Sequence, residues 1–272
     1  MKKLNAVWSL GLGLLLCISC SSDDKDPNVI FNTMSANKTD VYIEEPIAIT
    51  LEGTGFTETN LTSTNSKIKI TKISNTSYEV SSTEATTGKI YAELKNKSNS
   101  QSKNINLSFY KHGIIDFKTV EGITVNSDTS DKIIKLLGEP EVKTDLTAST
   151  PAEKWEYTSK GVNFIVIKST KLVTIANVNS SNFYTFLSDG ITKLTYTKYP
   201  YEIGNGWKID LSTTTMTNVI NKLGTDYIKS SSTTNMLRNY KFSFDNQKVY
   251  FYFYADTEDD YSGKTIRSVL ID

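Results

Sequence analysis

The chain holds one imidazole, His112, and any chemistry that needs a histidine base or ligand has to be built on it. No Cys lies near it, and neither H-E-x-x-H nor H-x-E surrounds it, so it reads as a solvated residue at a junction rather than a metal ligand or general base. Serines are abundant, yet none sits in G-x-S-x-G, and a Ser-His triad would have to recruit that same His. Carboxylates offer more. Glu139 and Glu141 flank Pro140, and Asp256, Glu258, Asp259 and Asp260 crowd one loop. Paired carboxylates serve glycoside hydrolysis only at set separations, which sequence does not give. The same loop, closed by Gly263, bunches the hard oxygens that calcium takes, with Asp256, Glu258 and Asp260 as candidate ligands. Its spacing fits no D-x-[DN]-x-[DN]-G loop, and a solvated hairpin with charges that block edge pairing is the competing reading. Gly53 and Gly55 lack the G-K-[ST] of a phosphate loop. No catalytic residue and no cofactor is assigned, and the chain is expected not to be an enzyme.

Recognition chemistry is more evident. In Lys248-Val-Tyr-Phe-Tyr-Phe-Tyr254 the two aromatic types alternate, and a strand sends alternate side chains to opposite faces. Val249, Phe251 and Phe253 are predicted to face a core. Tyr250, Tyr252 and Tyr254 are predicted on the other face, joined by Tyr240 and Trp155 from neighbouring strands. Tyr joins a rigid apolar body to a hydroxyl, which suits an open sheet that binds protein or sugar. The alternative is that Tyr merely tolerates half-exposed strand positions.

These residues need elements to hold them. Residues 28–111 alternate at period two in short runs, among them 47–51, 68–70, 78–80 and 89–94, as a β-sandwich does. Within them, residues 49–56 end in Gly53-Thr-Gly-Phe56, which resembles the Gly-x-Gly-Phe signature of IPT/TIG-type immunoglobulin-like domains. The resemblance implies that the glycines turn the chain out of a strand and that Phe56 enters the core. Residues 112–272 add two helical stripes. Ile133, Ile134, Leu136 and Leu137 end at Gly138, and Met216, Val219, Ile220 and Leu223 end at Gly224, with Ser212 as the expected cap of the second. The segments that begin at Thr129 and Thr215 align at an offset of 86 residues. Downstream, 155–157 and 162–167 match 240–242 and 249–253, so the region reads as a duplicated unit, with copies at about 113–180 and 195–272.

The duplicated region resembles the tandem α/β repeats of β-lactamase-inhibitor-protein-like domains and of small outer-membrane assembly lipoproteins. That resemblance implies a curved sheet backed by helices, a protein partner on its concave side and no catalytic residues. The fold class expected for the chain is thus an N-terminal all-β immunoglobulin-like sandwich followed by an α+β domain of two tandem helix-plus-antiparallel-sheet repeats.

The N-terminus supplies the address. Lys2 and Lys3 precede an apolar run over residues 7–18, as in a secretory signal, and about 12 apolar residues do not cross a core that needs roughly 20. Ile18-Ser19-Cys20 resembles a bacterial lipobox, with Cys17 where Leu is usual. The resemblance implies that residues 1–19 are a signal peptide and that Cys20 is acylated. Burial at roughly 0.8 kcal/mol per methylene would then hold the protein on a membrane without crossing it. Ser21, Ser22, Asp23, Asp24, Lys25 and Asp26, within a tether over residues 20–27, resemble the acidic export signal of surface lipoproteins of the Bacteroidetes group. The expected site is the outer membrane, lipid-anchored and facing out, with the periplasmic face as the alternative. Without residues 1–19 the chain carries 28 basic and 30 acidic side chains, a balance that argues against nucleic acid or anionic lipid as an electrostatic partner. One remaining Cys allows neither an internal disulfide nor thiolate zinc. The sequence thus points to a cell-surface lipoprotein acting as a non-enzymatic protein-interaction or adhesion module, the alternative being a glycan-binding lipoprotein of a polysaccharide-uptake system. The partner is an unknown protein or polysaccharide.

Overall fold

The computed structural model describes residues 26–147, 149–181, 183–186, 190–203, 207–231, 236–244 and 246–272. Cys20 and residues 21–25 of the expected export signal lie outside the described residues. The described chain is mostly β, with several antiparallel sheets and two short α-helices. None of its helices is long and apolar enough to cross a membrane.

Eight strands occupy the first part: β1 (Ile30–Ala36), β2 (Asp40–Tyr42), β3 (Ile47–Thr54), β4 (Glu58–Ser63), β5 (Ile68–Lys72), β6 (Ser77–Ser82), β7 (Thr86–Lys95) and β8 (Ser100–Tyr110). They form two four-stranded sheets, ordered β1-β3-β6-β5 and β2-β8-β7-β4. Period-two patterning drives this arrangement: in β3, Ile47, Ile49 and Leu51 are buried while Ala48, Thr50 and Glu52 are exposed. Their partners across the core include Ile90, Leu94 and Leu107 of the other sheet. Gly53 and Gly55 are demanded by close backbone approach. A Cβ at Gly53 would lie 2.4 Å from the Ile30 carbonyl oxygen, and Gly55 has φ of 75°. Phe56, beyond them, packs half-buried against this core.

The second part opens on a small sheet of β9 (Ile114–Ile115), β10 (Thr119–Val120) and β11 (Ile123–Thr124). Then follow α1 (Ser130–Leu137), β12 (Val142–Leu146), β13 (Ala152–Tyr157), β14 (Val162–Ile167) and β15 (Val173–Asn179). A hairpin of β16 (Tyr184–Phe186) and β17 (Lys193–Thr195) leads to α2 (Met216–Leu223), β18 (Ile228–Ser231), β19 (Leu237–Phe244), β20 (Gln247–Tyr254) and β21 (Ser268–Ile271). Eight of these strands make one sheet, ordered β12-β13-β14-β15-β21-β20-β19-β18, and every neighbouring pair is antiparallel.

At the middle of that sheet β15 pairs with β21, Ala176 opposite Ile271 and Val178 opposite Val269, with Asn177 opposite Leu270 between them. The two sides correspond in detail. The Ser130 N–H donates to the Lys171 carbonyl at 2.8 Å and the Met216 N–H to the Lys264 carbonyl at 2.8 Å. Thr129 bridges Leu172 as Thr215 bridges Thr265. Both helices end on a glycine, Gly138 and Gly224, at φ of 83° and 89°. Helices of eight residues do not persist alone in water, and their stability comes from the apolar stripe they lay on the sheet. Ile133, Met216 and Val219 are fully buried there with Phe164, Phe251 and Phe253.

The cap of α2 is Thr215, not Ser212 as expected. The Thr215 hydroxyl accepts from the Asn218 N–H, and the Asn218 side chain accepts from the Thr215 N–H, so both orphan donors are met one turn nearer the apolar stripe. Ser212 serves Asp210 instead. Its hydroxyl and N–H both donate to the Asp210 carboxylate at 2.7 Å, with Lys198 at 3.2 Å, and these bonds hold the Asp210 pKa down to about 2.

Two outcomes follow from this architecture. A fragment of residues 112–272 is expected to melt in one cooperative transition, whereas residues 113–180 alone should show none, because β15 would lose its neighbour and become an open edge. A sharp transition in the shorter fragment would contradict the shared sheet. The depressed Asp210 pKa means that its contribution is present above about pH 4 and is lost as pH falls through about 2. Asp210→Asn should therefore flatten the acid limb of the stability curve over that window and leave its shape above pH 5 unchanged.

Candidate functional site

One face of the eight-stranded sheet carries the helices, and the other is open to whatever the chain lays on it. On β20 the division is clean. Val249, Phe251 and Phe253 are buried beneath the helices, while Tyr250, Tyr252 and Tyr254 stand half-buried on the open face. Tyr250 and Tyr252 stack with ring centroids 6.4 Å apart. Burial raises the pKa of Tyr252 and of Tyr254, with Tyr250 and Asp272 adding to the first and Tyr184 to the second. Both phenols therefore stay protonated and able to donate. Register sets the neighbours of this row: Lys241 and Leu270 flank Tyr250, and Asn239 and Ser268 flank Tyr252.

Tyr240 and Trp155, expected on the same face, lie on the other one. Tyr240 is directly opposite Phe251, and Trp155 directly opposite Phe164, and partners across a pair share a face. Tyr240 is fully buried, stacked on Tyr227 with centroids 4.4 Å apart, and its hydroxyl donates to the Glu258 carbonyl at 2.7 Å. Trp155 is 5% exposed in the same core. Both are core residues and leave the candidate surface.

The connector between the two sides makes the open face unequal. Tyr196, which follows β17, lies over the first half. Its hydroxyl donates to the buried Glu156 carboxylate and accepts from the Asn163 side chain at 2.9 Å, while Lys154 closes on Glu156 at 2.7 Å. Burial, then the Glu156 charge, raises the Tyr196 pKa, so the phenol remains a donor. A buried carboxylate on that half is thus fully engaged within the protein. The Tyr row lies on the other half, where its rings keep part of their surface in solvent.

His112 is half-buried rather than freely solvated. Its ring is stacked between Tyr42 and Tyr201, at centroid distances of 3.6 and 4.0 Å. Nδ1 lies 2.6 Å from the carboxylate of Glu121, a side chain 3% exposed. The Gly113 N–H donates to the same carboxylate at 3.0 Å, the Tyr199 hydroxyl donates to it as well, and the Tyr42 hydroxyl donates to the Glu121 carbonyl at 3.1 Å. Glu121 adopts a left-handed φ of 52°, a conformation held by these bonds. Burial and the Glu121 charge raise the pKa of both Tyr42 and Tyr199. This cluster joins β2 of the first part to the second. Only a fold that brings residues 42, 112, 121, 199 and 201 together reveals it, and no local motif marks it.

The acidic loop is engaged in ion pairs and backbone bonds. Asp259 pairs with Lys229, Asp260 with Lys264 at 2.9 Å, and the Asp256 carbonyl accepts from Arg238 at 2.7 Å. Among the described residues no three His, Cys, Asp or Glu side chains converge as a metal site requires. Glu141 is likewise spent, on Ser159 and Thr158, whose hydrogen bonds lower its pKa against the opposing effect of its burial.

No family model matches the chain, and no curated protein matches it significantly. Among solved structures it is similar to a quinonprotein alcohol dehydrogenase-like protein from Bacteroides thetaiotaomicron, at 10% identity and a TM-score of 0.23. The match covers 89% of this chain and 61% of that one, so this chain spans about three fifths of that protein's length. A likeness at this level carries no argument about fold or activity.

The junction cluster generates a direct test. Glu121→Leu strands the Tyr199 hydroxyl and the Gly113 N–H in a buried site, at about 1–3 kcal/mol for each donor left unpaired. Denaturant unfolding should register that loss, and a change within about 0.5 kcal/mol, the range of ordinary surface substitutions, would contradict the cluster.

Proposed function

We propose that this chain is a lipid-anchored outer-membrane protein of the cell surface that acts as a non-enzymatic interaction or adhesion module through the open face of its eight-stranded sheet. The observation that carries this reading is the segregation on β20, with three Tyr rings half-exposed on one side and Val249, Phe251 and Phe253 buried on the other. A row of rigid aromatic bodies with donor hydroxyls, flanked by Lys241 and Asn239, has the composition of an interface hot spot. Cys20, with Ser21 to Asp26 behind it, is the proposed anchor and export signal. The two facing sheets of residues 30–110 are read as an immunoglobulin-like stalk, supported by their shared core and by the Gly53-x-Gly55-Phe56 turn. The correspondence of hydrogen bonds around α1 and α2 supports a duplicated head. Glycan binding within a polysaccharide-uptake system is the alternative for the same face.

Changing Tyr250, Tyr252 and Tyr254 together to Ser should abolish most partner capture in a crosslinking pull-down from intact cells, at about 2 kcal/mol or more for each anchor, and leave the fold standing. Phe251→Ala with Phe253→Ala should do the reverse, costing about 3–5 kcal/mol of stability per ring. Capture that survives the Tyr changes contradicts the proposed surface, and loss of capture on adding a polysaccharide competitor assigns the face to glycan instead. Cys20→Ala should leave the protein unacylated and out of the outer-membrane fraction. Normal processing and membrane recovery of that variant would refute the anchor.

A further inference from the structure

The junction holds a feature that the Tyr row does not use. Beside the Tyr42, His112 and Tyr201 stack opens a pocket of about 300 Å³ walled by both parts of the chain, with Glu45 and Tyr42 on one side and Leu137, Lys160, Pro200 and Tyr201 on the other. Clefts where two packed units meet are among the preferred places for small ligands, and this volume is at the small end of such sites.

What faces the pocket selects among ligands. Both faces of the His112 ring are covered and Nδ1 is on Glu121, yet the side chain keeps 29% exposure. The exposed part is therefore the remaining edge, which carries Nε2. With Nδ1 taken by the carboxylate, Nε2 is the ring nitrogen left to hydrogen-bond a ligand hydroxyl. The Glu121 carboxylate is 3% exposed and engaged by His112, Gly113 and Tyr199, which leaves Glu45 facing Lys160, so the pocket has no strong field of either sign. A phosphate or sulfate would meet Glu45. A divalent cation would meet Lys160 and, among the described residues, no trio of ligands. An acyl chain needs a closed apolar box, and here Glu45, Ser159 and Lys160 line the pocket as exposed polar side chains. A neutral ligand rich in hydroxyls satisfies all of these. Tyr201 completes the case. It is 39% exposed although one face is stacked on His112, and it offers the apolar wall that the C–H face of a sugar ring packs against.

We propose that this pocket binds one pyranose unit of a neutral saccharide, with Tyr201 as the stacking wall, Glu45 and Lys160 on its hydroxyls, and His112 Nε2 hydrogen-bonded to one of them. The site is separate from the Tyr row and stands whether or not that row binds a partner.

His112 is the sole histidine, so a single ring resonance reports on the site. The full chain, carrying 13C at the histidine Cε1 position, would be titrated with the methyl glycosides of glucose, galactose, mannose and N-acetylglucosamine. At least one should shift that resonance saturably. Tyr201→Ala should weaken the binding by about ten-fold or more. Glu45→Gln, at an exposed position where folding is not at stake, should weaken it several-fold. Absence of any saturable shift overturns the assignment, as does equal binding by both variants. A shift caused by inorganic phosphate or by free leucine but by none of the glycosides also overturns it.

Discussion

The pairing of β15 with β21 is the contact on which the second part of the molecule depends. Four strands that follow α1 and four that follow α2 would each leave an unpaired edge, with its row of bare N–H and C=O groups, were these two strands not joined. Antiparallel pairing about Asn177 and Leu270 also fixes which face each side chain takes, because a slip of one residue would exchange core and surface along every strand. Ala176, Val178, Val269 and Ile271 then look toward the helices together, and α1 and α2 come to rest on the same side. The Tyr row faces outward for the same reason.

Once that seam is set, the rest follows from covering surfaces. The helices bury Phe164, Phe251 and Phe253, and neither helix is long enough to stand without them. The connector crosses to the open face and seals the polar half around Glu156 with Tyr196. A second polar hub, Glu121, ties the second part of the chain to the first through Tyr42. Both hubs use the same device, a buried carboxylate whose oxygens are saturated by Tyr hydroxyls, side-chain amides, backbone N–H groups or a cation. Both would be costly to break at any one partner.

The sequence shows these features unequally, and the reasons are physical. Alternation in Val249 to Tyr254 was legible because a strand has period two and the two aromatic types differ in polarity. The helix ends were legible because only glycine takes the φ found at Gly138 and Gly224 without strain. The placement of Tyr240 and Trp155 was not legible, since the face a residue occupies relative to another strand depends on register between strands, which a single strand does not encode. Ser212 resembled a cap because caps are local and Ser is a good one, but Thr215 with Asn218 forms the reciprocal pair. His112 looked isolated because its partners Tyr42, Glu121 and Tyr201 lie up to 89 positions away, and only the tertiary fold gathers them. Its burial between two Tyr rings is a property of the junction, not of its neighbours in sequence.

On the proposed function, the open face of the eight-stranded sheet meets the partner while its opposite face and the sheets of the first part do not. A photoreactive phenylalanine analogue placed singly at position 252 tests this, with position 91 as the comparison, because Tyr91 is 41% exposed on β7 of the first part and so more open to solvent than the half-buried Tyr252. Illumination of intact cells is expected to give a discrete crosslinked adduct from position 252 and none from position 91. An adduct from position 91 without one from position 252 would contradict the claim.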